Sequence, residues 1–317
     1  MVRAVFMGSD EFSLPVLQKL VTHGPNMPEP VQVVAVVAAP DRPSGRGRQA
    51  RVGPVAAFAR EREIDLQQPP RIRAPEALEA YRSAEPELVV VASYGQILPR
   101  AVLDEPRHHC LNLHPSLLPK YRGTSPVPSV ILAGDDVTGT TLMVMSPRMD
   151  AGPILAQERT SVGRDETGGE LLARLAALSA ELLLVTLPMW LRGELQPRDQ
   201  DEREATYTNL LAKTDGVIDW ELPAAQIARI VRAFNPWPSA QTILDGQLVR
   251  LLRAHTVAGM ADPGRLCGCD RDALLVGTGE GLLAVTQLQF AGGRPMSGDA
   301  ALRGRPNLLT SRFEAGA

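Results

Sequence analysis

Lysine is almost absent from this chain of 317 residues: Lys19, Lys120 and Lys213 are the only lysines among 33 basic side chains. Arginine supplies the rest, which reads as a compositional bias, so arginine enrichment alone carries no functional weight. Cysteine is scarce as well, and its three residues make an odd count, in keeping with a reducing compartment. Cys267-Gly268-Cys269 is a bare C-x-C without a second pair or a nearby histidine, so ordinary packing in a β-rich segment is favoured over a zinc site. Cys110 reads as a small hydrophobe. No run is long and apolar enough to cross a bilayer, because Thr186 and Pro188 interrupt the stretch from Leu182 to Leu191. Met1–Phe6 reads as a first strand and not as a signal peptide, so a cytoplasmic protein is expected. A net charge of −3 argues against wholesale nucleic-acid binding.

A dinucleotide fingerprint is missing too. The turn after the first strand, Met7-Gly8-Ser9-Asp10-Glu11-Phe12-Ser13, has one glycine and an acidic pair where G-x-G-x-x-G would be needed. An NAD-dependent dehydrogenase is therefore a poor reading. No internal repeats or low-complexity segments are visible.

What is present is a βαβ alternation over the first two-thirds, the sign of a Rossmann-like α/β domain with a parallel sheet. Strands are predicted at Val2–Met7, Val31–Val37, Leu88–Ala92, Cys110–His114 and Thr138–Met145. Helices are predicted at Phe12–Val21, Pro54–Glu61, Pro126–Ala133 and Thr167–Leu191, the last with Leu171, Leu175, Leu178, Leu182 and Val185 as its apolar stripe. Length favours two domains. We place the first at 1–195, a charged, proline-containing linker at 196–206, and a second domain at 207–317. The second shows short β runs at Val217–Trp220, Gln241–Leu244, Leu248–His255, Ala273–Val276 and Leu282–Leu288, with Asp245-Gly246 as a hairpin turn and a helix at Pro223–Arg232. That pattern suits a small β-barrel of the OB-like type.

One segment carries the chemistry: Asn112-Leu113-His114-Pro115-Ser116-Leu117-Leu118-Pro119, followed by Met149-Asp150-Ala151-Gly152. Asn112 and His114 are two apart, so on a strand they share a face. Pro115 stops the strand at its carboxyl end, where open α/β sheets place their sites. An amide can donate to a developing oxyanion. An imidazole can donate again or move a proton, and a carboxylate can orient that imidazole. Taken singly, each residue has an ordinary structural explanation; the combination does not. A second feature is the basic loop Asp41-Arg42-Pro43-Ser44-Gly45-Arg46-Gly47-Arg48-Gln49-Ala50-Arg51, whose arginines suit an anionic partner better than plain solvation.

Asn112–Pro119 with Asp150-Ala151-Gly152 resembles the signature of the formyltransferase superfamily that uses 10-formyltetrahydrofolate. Resemblance to the methionyl-tRNA formyltransferase family extends over nearly the whole chain. It runs through Gly8-Ser9, Pro40–Arg48, Ser93–Pro99, Tyr121-Arg122-Gly123 and Phe234-Asn235-Pro236-Trp237-Pro238. The resemblance implies formyl transfer from 10-formyltetrahydrofolate to methionine on initiator tRNA, by a monomer that needs neither a metal nor a membrane. It makes Asn112, His114 and Asp150 catalytic. It sets Tyr94, Gly95, Gln96, Ser116, Leu117, Leu118 and Pro119 against the folate, and Arg42, Arg46 and Arg48 against the tRNA. The two departures are Pro115 after the histidine and Ser146-Pro147-Arg148 before Met149; both lean toward the rival reading, an amino-sugar nucleotide N-formyltransferase. A non-catalytic RNA-binding protein is a further rival, set back by the intact Asn112, His114 and Asp150.

Overall fold

The computed structural model describes residues 1–44 and 49–314, with backbone alone for 42–44, 49–51 and 306. Its contacts group into two units: Met1–Gly123 with Val137–Ser161 and Leu172–Thr208, and Thr124–Asp136 with Val162–Leu171 and the chain from Asn209 onward. Stretches of the amino-terminal sequence thus belong to the second unit.

The first unit begins with β1 (Val2–Gly8), α1 (Ser13–His23) and β2 (Val31–Val37). A ribbon of β3 (Arg42–Ser44) and β4 (Gln49–Arg51) follows, then α2 (Pro54–Glu61), β5 (Asp65–Gln67), α3 (Pro75–Ser83), β6 (Leu88–Ala92), α4 (Arg100–Leu103) and β7 (Cys110–His114). After β8 (Arg122–Gly123) and α5 (Pro126–Ala133) come β9 (Val137–Val144), β10 (Ile154–Ser161) and α6 (Gly168–Leu191). The main sheet has the order β10-β9-β7-β6-β1-β2-β5. Five strands run parallel, as the βαβ pattern predicts, and valines within β1, β2 and β6 are buried. Strands β9 and β10 run antiparallel at one edge. Strand β10 has no apolar signature to read, because Gln157, Glu158 and Arg159 make it polar where it is an edge.

Strand order reverses between β1 and β6, the place where open α/β sheets open a crevice. At the end of β1 the Asp10 carboxylate accepts from Phe12 N at 3.1 Å and Ser13 N at 3.2 Å. A side chain thereby occupies the helix amides that a dinucleotide fold reserves for phosphate.

Helix α6 corrects two expectations. Thr186 and Pro188 lie inside it, and it is the one helix among the described residues long and apolar enough to span a membrane, with half of that stretch buried in the protein. Pro188 is tolerated in the last turn, where only one backbone bond is lost. The buried stripe runs Leu171-Leu175-Ser179-Leu183-Leu187, while Leu178 and Leu182 are half-buried and Val185 is 70% exposed. Ser179 is carried on the buried face because its hydroxyl meets Thr140 Oγ1 at 2.5 Å.

The second unit contains α5 packed on α7 (Ala224–Ala233), and a wholly antiparallel sheet. Its strands are β12 (Ala240–Leu244), β13 (Gln247–Val257), β14 (Leu266–Asp270), β15 (Ala273–Gly277), β16 (Leu282–Phe290), β17 (Met296–Ser297) and β18 (Phe313–Glu314); β11 (Tyr207–Thr208) belongs with β8 in the first unit. Helix α8 (Gly298–Gly304) precedes β18. The order is β14-β15-β16-β13-β12-β18, and its end strands are joined at one bridge, Arg265 to Arg312, with Phe313 N donating to Gly264 O at 2.7 Å. The sheet therefore curls into the partly open barrel that its turn spacing predicts. Trp220 stacks on Phe313 in its core, with ring centroids 5.3 Å apart. The predicted strand Val217–Trp220 is reduced to a single bridge at Val217. Cys267 and Cys269 are exposed on the bulged strand β14.

A capping box starts α6: Thr167 N donates to Glu170 Oε2 at 2.9 Å, and Glu170 N donates to Thr167 Oγ1 at 3.3 Å. The Thr167 backbone bond, then Arg253, pulls the Glu170 carboxyl from 4.5 down to about 2. A depressed carboxylate contributes stability above its unfolded value and loses it as pH falls through the folded value. Solvent screens this half-exposed pair, so a modest effect is expected. Glu170→Ala should lower the melting temperature at pH 7 by a few degrees. In thermal melts at successive pH values, the gap should close between about 4.5 and about 2.

Candidate active site

Strand β7 is buried along its whole length and ends at His114. Asn112 pairs with Val91 on β6 and Met143 on β9, and His114 with Thr141. Two-residue alternation aims both side chains at one face, and both stay nearly closed to solvent, at 8% and 5% exposure. His114 Nε2 donates to the Tyr121 carbonyl at 2.9 Å. That fixes the tautomer and leaves Nδ1 facing Asp150, whose Oδ2 lies 3.7 Å away. The pair is within ionic reach and beyond hydrogen-bond length. Among the described residues the Asn112 amide has no hydrogen-bond partner.

Asp150 reaches this point by an unusual backbone. It stands at φ +49°, in the left-handed region, and its Oδ2 accepts from Gly123 N at 2.8 Å. Tyr121 is left-handed too, at φ +61°. The turn Lys120–Gly123 therefore supplies one main-chain atom to the histidine and another to the aspartate. Gly152 completes the arrangement, since a β-carbon there would run into the Val144 carbonyl oxygen.

The segment after β7 is cross-linked. Ser116 Oγ donates to Lys120 O at 2.7 Å, Leu118 N to Thr141 Oγ1 at 3.1 Å, and Thr141 Oγ1 to Ser116 O at 2.7 Å. Gln157 Nε2 donates to Leu118 O and Thr141 Oγ1, each at 2.9 Å. The Leu118–Pro119 peptide is cis.

The predicted folate side chains divide. Ser116 is fully buried, Leu118 packs with Met143 and Ile154, and Leu117 is half-buried against Gly139. Tyr94 is turned into the core among Ile72, Tyr81 and Val102, where burial pushes its hydroxyl up to about 12. Gln96 is tied to Ile72 N at 2.8 Å and Pro69 O at 3.2 Å. Pro119 is half-buried. What this wall presents outward is backbone at Gly95, at φ +79°, and Ile97, 82% exposed.

In the basic loop, Arg42 lies on the β3–β4 ribbon and is described by backbone only, and Arg46 and Arg48 fall outside the described residues. The ribbon's flank is pinned: Asp41 accepts from Gln68 Nε2 and Arg60 Nη2, both at 2.9 Å, and those two bonds hold its carboxyl below the usual range. The string Phe234–Pro238 folds around Asn235, whose Nδ2 donates to Leu252 O at 2.7 Å.

Three residues that the sequence reading gave no role of their own prove central; one of them, Arg122, was named only within the Tyr121-Arg122-Gly123 match. Arg122 is buried to 1% exposure, and Gln200 and Glu202 come from the stretch read as a linker. Charge and proline there gave no signal of a packed role.

The chain that sets an amide, an imidazole and a carboxylate at the end of this strand matches one family along its length. The profile described as "Formyl transferase" matches residues 2–187, and "Formyl transferase, C-terminal domain" matches residues 210–306. The chain belongs to the formyl transferase family. It is 42% identical over 291 residues to a methionyl-tRNA formyltransferase of Citrifermentans bemidjiense, covering 92% of this chain and 90% of that protein. With the methionyl-tRNA formyltransferase of Chloroflexus aurantiacus it shares 43% identity over 306 residues, 96% of this chain and 97% of the relative. Among solved structures, an N-formyltransferase from Helicobacter canadensis superposes with a TM-score of 0.66 at 15% identity, covering 90% of this chain and 99% of that one. Glycinamide ribonucleotide transformylase 1 from Symbiobacterium toebii gives 0.53 at 21% identity, over 63% and 95%. These two likenesses establish the shared fold.

Proposed function

We propose that the protein transfers the formyl group of 10-formyltetrahydrofolate to the α-amine of methionine carried by initiator tRNA, as a cytoplasmic monomer. The observation that carries this reading is the Asn112 amide, without a protein partner among the described residues, on the same strand face as His114 and near Asp150. A donor that no protein group occupies, on a strand otherwise closed to solvent, is suited to a charge that appears only during reaction.

The chemistry follows from the geometry. The neutral amine attacks the formyl carbon, a C–N bond forms, and the carbonyl electron pair moves to oxygen. Asn112 Nδ2 is a donor left free to meet that oxygen, and His114 Nδ1 joins it when the ring carries a second proton, because His114 Nε2 is engaged by Tyr121 O. Asp150 balances a protonated His114 and takes the amine proton directly or through a water. Collapse then breaks the bond to the folate nitrogen, which leaves as an amine after gaining the proton that Asp150 took up. The folate lies along Gly95–Ile97 and the loop Ser116–Pro119, using main-chain donors and acceptors more than side chains.

Support for tRNA comes from two basic features. One is the basic sequence Asp41–Arg51, with Arg42, Arg46 and Arg48. The other is a cavity of about 330 Å³ in the second unit, lined by Arg164, Arg232, Arg253 and His255 with Asp165 as its acidic member. Phosphate contacts at such surfaces give salt-dependent affinity.

The test is formyl transfer to charged initiator tRNA, with elongator methionyl-tRNA as control. Initiator-selective turnover is expected. Arg46→Ala should raise KM for the tRNA about tenfold or more with the folate KM unchanged, as one lost phosphate contact predicts. Turnover on an amino-sugar nucleotide and none on tRNA would overturn the reading.

A further inference from the structure

The buried guanidinium of Arg122 has no place in the chemistry above, yet almost all of its donors are used. Its Nε and Nη2 donate to Gln200 Oε1 at 3.0 and 2.8 Å. Its Nη1 and Nη2 donate to the Glu202 carboxylate at 3.2 and 3.0 Å, and Nη1 also reaches the Tyr207 hydroxyl at 3.2 Å. That hydrogen bonding holds the Glu202 carboxyl below its usual range. Gln200 then turns its amide the other way: Nε2 donates to Asp150 O at 2.8 Å and to Gly152 O at 2.7 Å. Both amide hydrogens are spent on the two ends of the turn that carries the site carboxylate.

The same stretch also braces the opposite turn. Thr206 O accepts from Arg122 N at 2.9 Å, and Thr206 Oγ1 accepts from Tyr121 N at 2.8 Å. Strand β11 pairs in parallel with β8. One short segment, 200–208, thus holds the Tyr121 carbonyl that orients His114 and the backbone that presents Asp150.

We propose that Gln200 is a positioning residue for formyl transfer, fixing the left-handed Asp150 turn so that its carboxylate stays opposite His114 Nδ1, with Arg122 as the anchor that orients Gln200. The proposal rests on the formyl-transfer reading. A buried charge whose partners are this directional serves geometry more than stability, since replacing a buried ion pair with apolar groups is often neutral in energy. A displacement of about 1 Å at a reacting group can lower a rate about 100-fold.

Gln200→Leu removes donors and acceptor together, whereas Gln200→Glu keeps an acceptor for Arg122 and loses both donors to the turn. Both variants are expected to lower kcat at least tenfold with both KM values within threefold, and Gln200→Glu should melt close to wild type. In an Asp150→Asn background, Gln200→Leu should add no further loss, because the group it positions is already disabled. Losses that multiply across this cycle, or an unchanged kcat in Gln200→Glu, would overturn the proposal. Should the wild-type protein formylate no charged tRNA, the function reading fails on its own. The clamp is then decided by the imidazole nitrogen resonances of His114, which must differ between wild type and Gln200→Leu if it exists and coincide if it does not.

Discussion

Asn112→Ala is expected to lower kcat for formyl transfer by about 10²–10³ with KM for both substrates within threefold. The reasoning is differential binding. Before reaction the amide of Asn112 bonds to nothing among the described residues, so its removal deprives the ground state of little. In the tetrahedral species it would bond to a full negative charge in a nearly closed site, where such a bond is strong. Truncation orphans no partner, so stability should hardly change, and the melting temperature should stay within about 2 °C of wild type. Asn112→Asp is the sharper variant: the shape is kept, the donor is lost and a like charge meets the oxyanion, so its kcat should fall at least as far. Steady-state kinetics with both variants decide the matter. An unaltered kcat in Asn112→Ala would remove the amide from the chemistry.

Much of this was open to reading from residue order. Strand β7 follows from alternation and its proline stop, and spacing alone puts Asn112 and His114 on one face. The second-unit barrel follows from turn residues between short β runs. Other parts depend on contacts that no local pattern encodes. That Asp150 meets His114 depends on two left-handed residues, Tyr121 and Asp150, neither of them glycine and so without a signal in composition. Ser116 and Leu118 sit in a motif segment, but the crossing network of Thr141 and Gln157 turns their loop so that these side chains face inward, and Tyr94, in another motif segment, is drawn into the core beside Ile72 and Tyr81. The expected apolar stripe of α6, Leu171, Leu175, Leu178, Leu182 and Val185, holds for its first two members and then drifts off the buried face, since periodicity counts apolar residues and gives no credit to Ser179, buried through a hydroxyl pair with Thr140. Gln200 and Arg122 lie 78 residues apart and look like solvated surface when read singly.

Gly152→Ala is the second large effect, because the glycine is demanded by space. An added methyl would meet the Val144 carbonyl oxygen, with Ser146 N also close, at 3.3 Å. Neither can yield as a flexible side chain would: Val144 N is held by Pro153 O at 2.9 Å, and β9 is locked between β7 and β10. The turn Arg148–Gly152 must therefore move, and it carries Asp150 with it. Its bonds to Gly123 N and Gln200 Nε2, at 2.8 Å each, would stretch or break. Overpacking of this kind costs about 1–3 kcal/mol, and the displaced carboxylate should lower kcat about 100-fold. Because the carboxylate is expected to act on the proton and the imidazole, while folate and tRNA are held elsewhere, both KM values should stay within threefold. Denaturant melts measured beside single-turnover rates separate the two effects. A variant that loses stability but keeps its rate would mean that the placement of Asp150 is not what limits transfer.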